Sequence, residues 1–569
     1  MPTVYIDGEA FDFEAGERLL QFCLDRDVEI PHFCFHPSMS VPANCRQCLV
    51  KVGTPVVNRE TREVELDDDG RPRVQYMPKL QPGCALDMTD GMVVHTQFGS
   101  EEVLAAQADN LEIMLVNHPL DCPICDQAGH CPLQNQAFKY GPEGSRFEFD
   151  KVHRPKRVQL GPHVVLDAER CINCTRCTRF TEEVSGSNQL SIIQRGASNY
   201  PMTAPGETFD EPYSMNVTDL CPVGALTEDY FRFKARVWEM SRTPTISDFG
   251  ARGVNVDVWV RDNEVLRITP RQNLDVNEYW MPDAARLVYD RYNSDRPAGP
   301  TIGGARVDWA VAYEHAARAV SAGNVVFVGS PFATVEDNYL LMRLAEAVGA
   351  PAPRYLPRVD AGAGDEWLLT DDQAPNAAGC DRLGMERWDA DSLREAVAGV
   401  DAVYILEDDP VAAGALAAED LVGKTVVVHV HHASNQTAAG EAIVLPAAMS
   451  VETIGTYVND SGRAQLLRPA KAIRGMHRPL MRALGVGVSR LDDQGTPFDR
   501  WHKESNRVDC QPGWISLPEV ASRAGAELRY ASPAAILAEV AHRFAALAGA
   551  DHAAMGLLGV PLEAAALTA

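Results

Sequence analysis

The sequence predicts a multidomain chain, α+β in its first part and α/β in its second. Three observations predict it. The length of 569 residues exceeds what one core holds, since domains run to roughly 150 residues. Twelve of the 14 cysteines lie at or before position 221, so the first part is organised around sulfur. Beyond about residue 300, apolar strand runs alternate with amphipathic helix runs, which is the pattern of a mostly parallel sheet with crossover helices.

The remaining composition narrows the function. Apolar residues make up 46% and charged residues 23%, as in ordinary globular proteins. No apolar run reaches the roughly 18 to 20 residues of a bilayer span. The start, MPTVYIDGEAF, lacks the patterns of secretory and transit peptides, so a cytosol-like compartment is expected. There clustered cysteines are metal or cluster ligands more often than disulfides. With 52 Lys and Arg against 79 Asp and Glu, the net charge is −27, which opposes binding to a nucleic-acid backbone.

Taken in order, Val4-Tyr5-Ile6, a turn at Asp7-Gly8, a strand over Ala10–Phe13 and a helix over Arg18–Asp25 form a small α+β unit. Cys23 falls on the apolar face of that helix and reads as a core thiol. The stretch 53–82, with Asp67-Asp68-Asp69-Gly70-Arg71-Pro72, reads as a solvated hairpin excursion. Val103, Leu104, Leu111 and Leu115 mark a helix that ends before His118-Pro119. Thr227–Met240 is expected to form a helix closing the cysteine-rich part. Then come a strand at Asn324–Ser330, a helix over Thr334–Val348 capped by Thr334 and Asp337, a strand at Ala402–Leu406, the Ala-rich run Val411–Leu421, and strands at Lys424–His431 and Ala442–Leu445.

The cysteines fall into three groups. Cys34, Cys45, Cys48 and Cys84 are separated by 10, 2 and 35 residues; four thiolates suit a [2Fe–2S] centre, with a structural zinc as the alternative. His118, Cys122, Cys125 and Cys131 suit a [4Fe–4S] cluster or a zinc, with His130 competing for the imidazole role. Cys171, Cys174 and Cys177, with the later Cys221-Pro222, match the bacterial ferredoxin run C-x2-C-x2-C-x3-C-P, except that Thr181 stands where a fourth cysteine would serve a second cluster. One [4Fe–4S] cluster is therefore expected there. No flavin or nicotinamide fingerprint is present: Gly485-Val486-Gly487-Val488 lacks the third glycine and the strand-turn-helix setting. Electrons must enter and leave through partners.

The strings NHPLDCPICDQAGHCPLQ (117–134), RCINCTRCTRF (170–180), DLCPVGALT (219–227) and GTYVNDSGRAQ (455–465) resemble the large iron–sulfur subunit of respiratory complex I, the NADH:quinone oxidoreductase. The resemblance implies a [2Fe–2S] ferredoxin-like (β-grasp) domain over 1–97, a one-His three-Cys segment over 98–140, a [4Fe–4S] ferredoxin-like domain over 141–240 and a degenerate molybdopterin-oxidoreductase-like α/β domain over 241–569. It assigns Cys34, Cys45, Cys48 and Cys84 to the [2Fe–2S] centre, and gives one [4Fe–4S] cluster each to the His118 and Cys171 groups, leaving His130 a bystander. Superfamily enzymes open the last domain with Cys-x2-Cys-x3-Cys; here Ser247, Gly250 and Val254 hold those positions, so no fourth cluster and no molybdenum are expected. Cys380 reads as an ordinary buried thiol.

By the same resemblance the chain is an electron-carrying part of a translocating oxidoreductase with no substrate site of its own. Electrons pass from the Cys34 group to the Cys171 group to the His118 group. The implied partners are an FMN- and NADH-binding subunit, a small thioredoxin-like [2Fe–2S] subunit and the quinone-module subunits. The implied place is peripheral, on the cytoplasmic side of a bacterial inner membrane or the matrix side of a mitochondrion. Two other readings are the α subunit of a NAD-linked formate dehydrogenase, which needs molybdenum, and a non-redox zinc-stabilised scaffold.

Overall fold

The first strand, Thr3–Ile6, turns back at Asp7 and Gly8, whose φ angles of 49° and 92° give the left-handed turn that a tight hairpin needs, and pairs with Glu9–Asp12. The computed structural model describes residues 1–57, 64–66, 72–321, 323–474 and 506–563. The chain divides into two units, Met1–Val237 and Trp238–Ala569.

In the first unit, Thr3–Ile6 also pairs in parallel with Val93–His95, which pairs antiparallel with Leu49–Pro55. The helix Leu19–Leu24 lays Leu19, Leu20, Phe22 and Cys23 into the core of this mixed sheet. Cys23 is fully buried, and burial pushes its thiol up to about 12, as for an inert core residue. The excursion leaves Leu49–Pro55, continues through bridges Val57 to Val64 and Leu66 to Pro72, and returns as Val74–Tyr76 on the same strand; Asp67–Arg71 lie outside the described residues. The helix expected from Val103, Leu104, Leu111 and Leu115 is present as Glu101–Leu115.

The helix expected over Thr227–Met240 does not form. Leu226–Glu228 is a buried strand paired antiparallel with Val164–Leu166, and Phe233 has a φ of 66°, which breaks any helix through it. Long-range pairing overrides local helix preference here.

The second unit opens with the antiparallel strands Ser241–Ile246, Asn255–Arg261 and Glu264–Pro270. Its main sheet has five parallel strands in the order Arg354–Tyr355, Val325–Gly329, Ala402–Ile405, Thr425–Val430, Ile443–Pro446, with two antiparallel strands, Thr301–Ile302 and Ala305–Arg306, extending the last edge. Alternation sorts the side chains: Phe327, Tyr404, Val427 and Leu445 enter one core cluster and Val328, Ile405 and Val428 the other. Both faces are covered, so the strands read as continuous apolar runs. Helix Val335–Ala347 packs on the first face, its start capped by Thr334 Oγ1 accepting from the Asp337 N–H at 3.1 Å. The Ala-rich run 411–421 holds only a short 3₁₀ turn, Ala418–Leu421; the helix on that side, Ala390–Ala398, precedes the central strand instead. The string 455–465 forms a hairpin, Gly455–Val458 with Arg463–Leu467.

Candidate iron–sulfur sites

The three cysteine groups lie in the first unit. Around Cys34, Cys45, Cys48 and Cys84 the backbone is irregular, with Ala43 and Arg46 in the left-handed region on either side of Cys45 (φ 49° and 56°). Cys84 arrives through a register: Leu49 pairs with Pro82 and Val50 with Gln81, and the Gly83 N–H donates to the Cys48 carbonyl at 2.8 Å. The 35-residue gap is thus a detour that returns to the strand beginning beside Cys48. All four side chains are buried, and the Cys45 sulfur accepts from the Cys34 N–H at 3.5 Å. The neighbouring thiols Cys45 and Cys84 hold the Cys34 thiol below its ordinary range, while Cys34 pushes Cys45 and Cys84 above theirs.

In the third group, Asn173 (φ 54°) and Thr175 (φ 62°) turn the chain twice in the left-handed sense between consecutive cysteines. A left-handed β-branched residue such as Thr175 is a strained choice, of the kind that persists at functional sites. The pairing of Leu226–Glu228 with Val164–Leu166 carries Cys221 back to the Cys171 loop. Cys171, Cys174, Cys177 and Cys221 then line one cavity together with Ile172 and Val223. Burial pushes the Cys171 and Cys221 thiols up to about 12, so four thiolates here require a compensating cation, as iron provides. Thr181 is fully buried and donates its hydroxyl to the Thr178 carbonyl at 2.9 Å, which occupies the position of the missing cysteine within its own helical turn.

The second group follows helix Glu101–Leu115. Cys125 and Cys131 are buried and Cys122 is exposed; Cys131 caps helix Pro132–Tyr140, its sulfur accepting from the Gln134 N–H at 3.5 Å. His118 Nδ1 is buried with no hydrogen-bond partner, and burial, aided by Arg170 and Lys151, lowers the ring's pKa to about 4. A neutral imidazole with an unused nitrogen is the form that binds iron. Among the described residues no three His, Cys, Asp or Glu side chains are arranged to hold one metal ion. A multi-iron cluster spreads its ligands wider than one ion does, in keeping with the cavity at the Cys171 group.

The three groups are stacked in an order that differs from their order in the chain. Arg179 donates to the Cys34 carbonyl and Arg176 to the Phe35 carbonyl, tying the Cys171 group to the first. On its other side the Cys221-Pro222-Val223-Gly224 turn meets the second group: Cys131 Sγ lies 3.7 Å from the Pro222 carbonyl, and a Cβ on Gly224 would overlap Cys125 Sγ. The Cys171 group therefore touches both others. Arg170, Arg176 and Arg179 bring cationic side chains to these contacts, Arg170 held by Asp121 and Asp167. Local spacing gives no sign of this middle position or of the role of Gly224.

One expectation follows for Gly224. Gly224→Ala forces Cys125 to move and costs about 1–3 kcal/mol of overpacking; the EPR signal of the His118 group shifts while that of the Cys34 group does not.

In the second unit Ser247 and Val254 are buried, and Gly250 has a φ of 67°, with Thr370 Oγ1 2.9 Å from where a Cβ would stand, so that glycine serves a backbone turn. Cys380 is buried against the Ser330 carbonyl at 3.5 Å. Gly485–Val488 lie outside the described residues, and no described helix is long and apolar enough to cross a membrane.

Comparison with known proteins assigns families to these regions. A 2Fe-2S iron-sulfur cluster binding domain matches residues 1–99. An NADH-ubiquinone oxidoreductase-G iron-sulfur binding region matches 107–146. The ferredoxin-like domain of NADH-quinone oxidoreductase subunit 3 matches 161–227. An NADH-ubiquinone oxidoreductase NDSU1/NuoG-like 4Fe-4S domain matches 240–290, a segment that here contains no cysteine. The NADH-ubiquinone oxidoreductase 75 kDa subunit of Reclinomonas americana is 39% identical over 303 residues, 53% of this chain and 40% of that protein. The mitochondrial NADH-ubiquinone oxidoreductase 78 kDa subunit of Candida albicans is 38% identical over 300 residues, 52% of this chain and 38% of that protein. NADH-quinone oxidoreductase subunit 3 of Thermus thermophilus is 35% identical over 387 residues, 64% of this chain and 48% of that protein. The chain spans about half the length of the curated relatives it matches or somewhat less. With iron–sulfur models matched along its first unit, the chain is similar to subunits of NADH-quinone and NADH-ubiquinone oxidoreductases.

Proposed function

We infer that the chain relays electrons in an NADH:quinone oxidoreductase, accepting them from an FMN-bearing subunit at the Cys34 group and delivering them from the His118 group towards the quinone-reducing module. The observation that carries this reading is the middle position of the Cys171 group, in contact with both other groups. Bound iron–sulfur clusters supply one-electron transfer, which no side chain here provides. Cys34, Cys45, Cys48 and Cys84 hold a [2Fe–2S] cluster; His118, Cys122, Cys125 and Cys131 hold one [4Fe–4S] cluster, and Cys171, Cys174, Cys177 and Cys221 the other. The chain's own residues position these ligands, exclude water from most of them, and set cationic arginines between the groups, which lowers the cost of added negative charge.

The four domains follow the boundaries 1–97, 98–140, 141–240 and 241–569, the last a molybdopterin-oxidoreductase-like scaffold without molybdenum. Its five parallel strands in doubly wound order support that architecture. The partners are the flavin subunit, a small thioredoxin-like [2Fe–2S] subunit and the quinone module, through which the chain sits peripherally on the cytoplasmic or matrix side of the membrane.

The test is reduction by NADH. The purified chain alone, with its clusters, is expected to be reduced by dithionite and not by NADH; adding the flavin subunit restores reduction by NADH. Reduction of the flavin-free chain by NADH would show a nucleotide site in this chain and overturn the division of labour.

A further inference from the structure

Arg176 stands inside the middle cysteine run, Cys174-Thr175-Arg176-Cys177. Its two terminal nitrogens are spent on the protein: Nη1 donates to the Leu220 carbonyl at 3.3 Å, and Nη2 donates to the Phe35 carbonyl. Each carbonyl is one residue from a proposed ligand, Cys221 in the Cys171 group and Cys34 in the first group. The guanidinium is thereby held at the junction of the two groups, and its charge acts on the sulfurs of Cys174, Cys34 and Cys221.

The remaining nitrogen is the informative one. Arg176 Nε is buried with no hydrogen-bond partner. A buried charged donor without an acceptor is costly, and native proteins rarely leave one so. The other two arginines at the contacts between groups differ. Arg179 spends Nε on the Thr175 hydroxyl, Nη1 on the Ser40 carbonyl and Nη2 on the Cys34 carbonyl, and Arg170 is paired with Asp121 and Asp167. Arg176 also lines the cavity that Cys171, Cys174, Cys177 and Cys221 line, whose wall is otherwise chiefly apolar. The acceptors that such a cavity offers once loaded are sulfurs.

We propose that Arg176 Nε–H donates to a sulfur of the cluster held by the Cys171 group, and that this bond raises the potential of that cluster. The proposal rests on the reading that this group holds a [4Fe–4S] cluster. Reduction adds one electron, whose charge spreads onto the cluster's sulfurs; a fixed cationic donor stabilises the reduced form more than the oxidised one. The guanidinium keeps its proton throughout, so no proton accompanies the electron.

The test is a redox titration of the full chain with its clusters, read by EPR on the signal that Cys177→Ser removes. Arg176→Met is expected to disfavour reduction about tenfold, which lowers the midpoint by about 59 mV for one electron, and to leave the His118-group midpoint in place. Arg176→Lys keeps the charge without the Nε donor and recovers only part of the loss. Pulsed EPR on protein labelled with heavy nitrogen in its arginine guanidinium groups reads the bond itself, as a nitrogen coupling to the reduced cluster that Arg176→Lys removes; this decides the matter if Arg176→Met fails to assemble its clusters. A wild-type midpoint or an unchanged coupling in Arg176→Lys, or equal shifts of all three signals, would overturn the proposal. Absence of the middle signal from the wild-type chain would instead overturn the cluster assignment, and the proposal with it.

Discussion

Cys177→Ser is expected to remove one [4Fe–4S] EPR signal, to leave the Cys34-group signal intact, and to stop electrons supplied by NADH and the flavin subunit from reaching the His118 group. Serine cannot replace the lost ligand, because its hydroxyl stays protonated where a thiol, even one raised by burial, ionises on binding iron. The functional loss exceeds that of removing a terminal group because of position. Arg176 and Arg179 clamp this group to the backbone at Cys34 and Phe35, and the Pro222–Gly224 turn presses it against Cys125 and Cys131. Freeze-quenched EPR after mixing with NADH and the flavin subunit checks it: the Cys34 signal appears at its usual rate and the His118 signal does not. Normal reduction of the His118 group in this variant would show that electrons bypass the middle position.

His118→Ala is expected to perturb one [4Fe–4S] signal and to spare the other two, whereas His130→Ala leaves all three. The choice of His118 over His130 is the one the resemblance implies; burial lowers the His118 pKa to about 4, so the ring is neutral at neutral pH, the form that binds iron. An imidazole ligand adds no negative charge where a thiolate adds one. His118→Cys is therefore expected to rebuild a cluster with an altered potential, which redox-titrated EPR reads. The reverse pattern, with His130→Ala destructive and His118→Ala silent, would move the fourth ligand to His130.

How much of this is legible in the sequence depends on how local each feature is. The runs Cys45-x2-Cys48, Cys122-x2-Cys125 and Cys171-x2-Cys174-x2-Cys177 are visible because one loop must aim neighbouring sulfurs at one cluster. The parallel strands are visible because burial on both faces demands unbroken apolar runs such as Val325–Gly329. What is not legible comes from long-range pairing. The return of Cys84 depends on Gln81-Pro82 finding Leu49-Val50, and the helix expected at Thr227–Met240 gives way to a strand because Val164–Leu166, about 60 residues upstream, pairs with its start. The middle position of the Cys171 group rests on Arg176 and Arg179, two charges in a short helix whose sequence context names no partner, yet which donate to carbonyls some 140 residues earlier.

The measurement that tests the central claim most directly is an anaerobic count of iron, acid-labile sulfide, zinc and molybdenum on the purified chain. Three clusters of the assigned types give about ten iron atoms with equal sulfide, little zinc and no molybdenum. Stoichiometric zinc without iron would make the cysteine groups a structural scaffold, and stoichiometric molybdenum would place the chain with the formate dehydrogenases; either result contradicts the account.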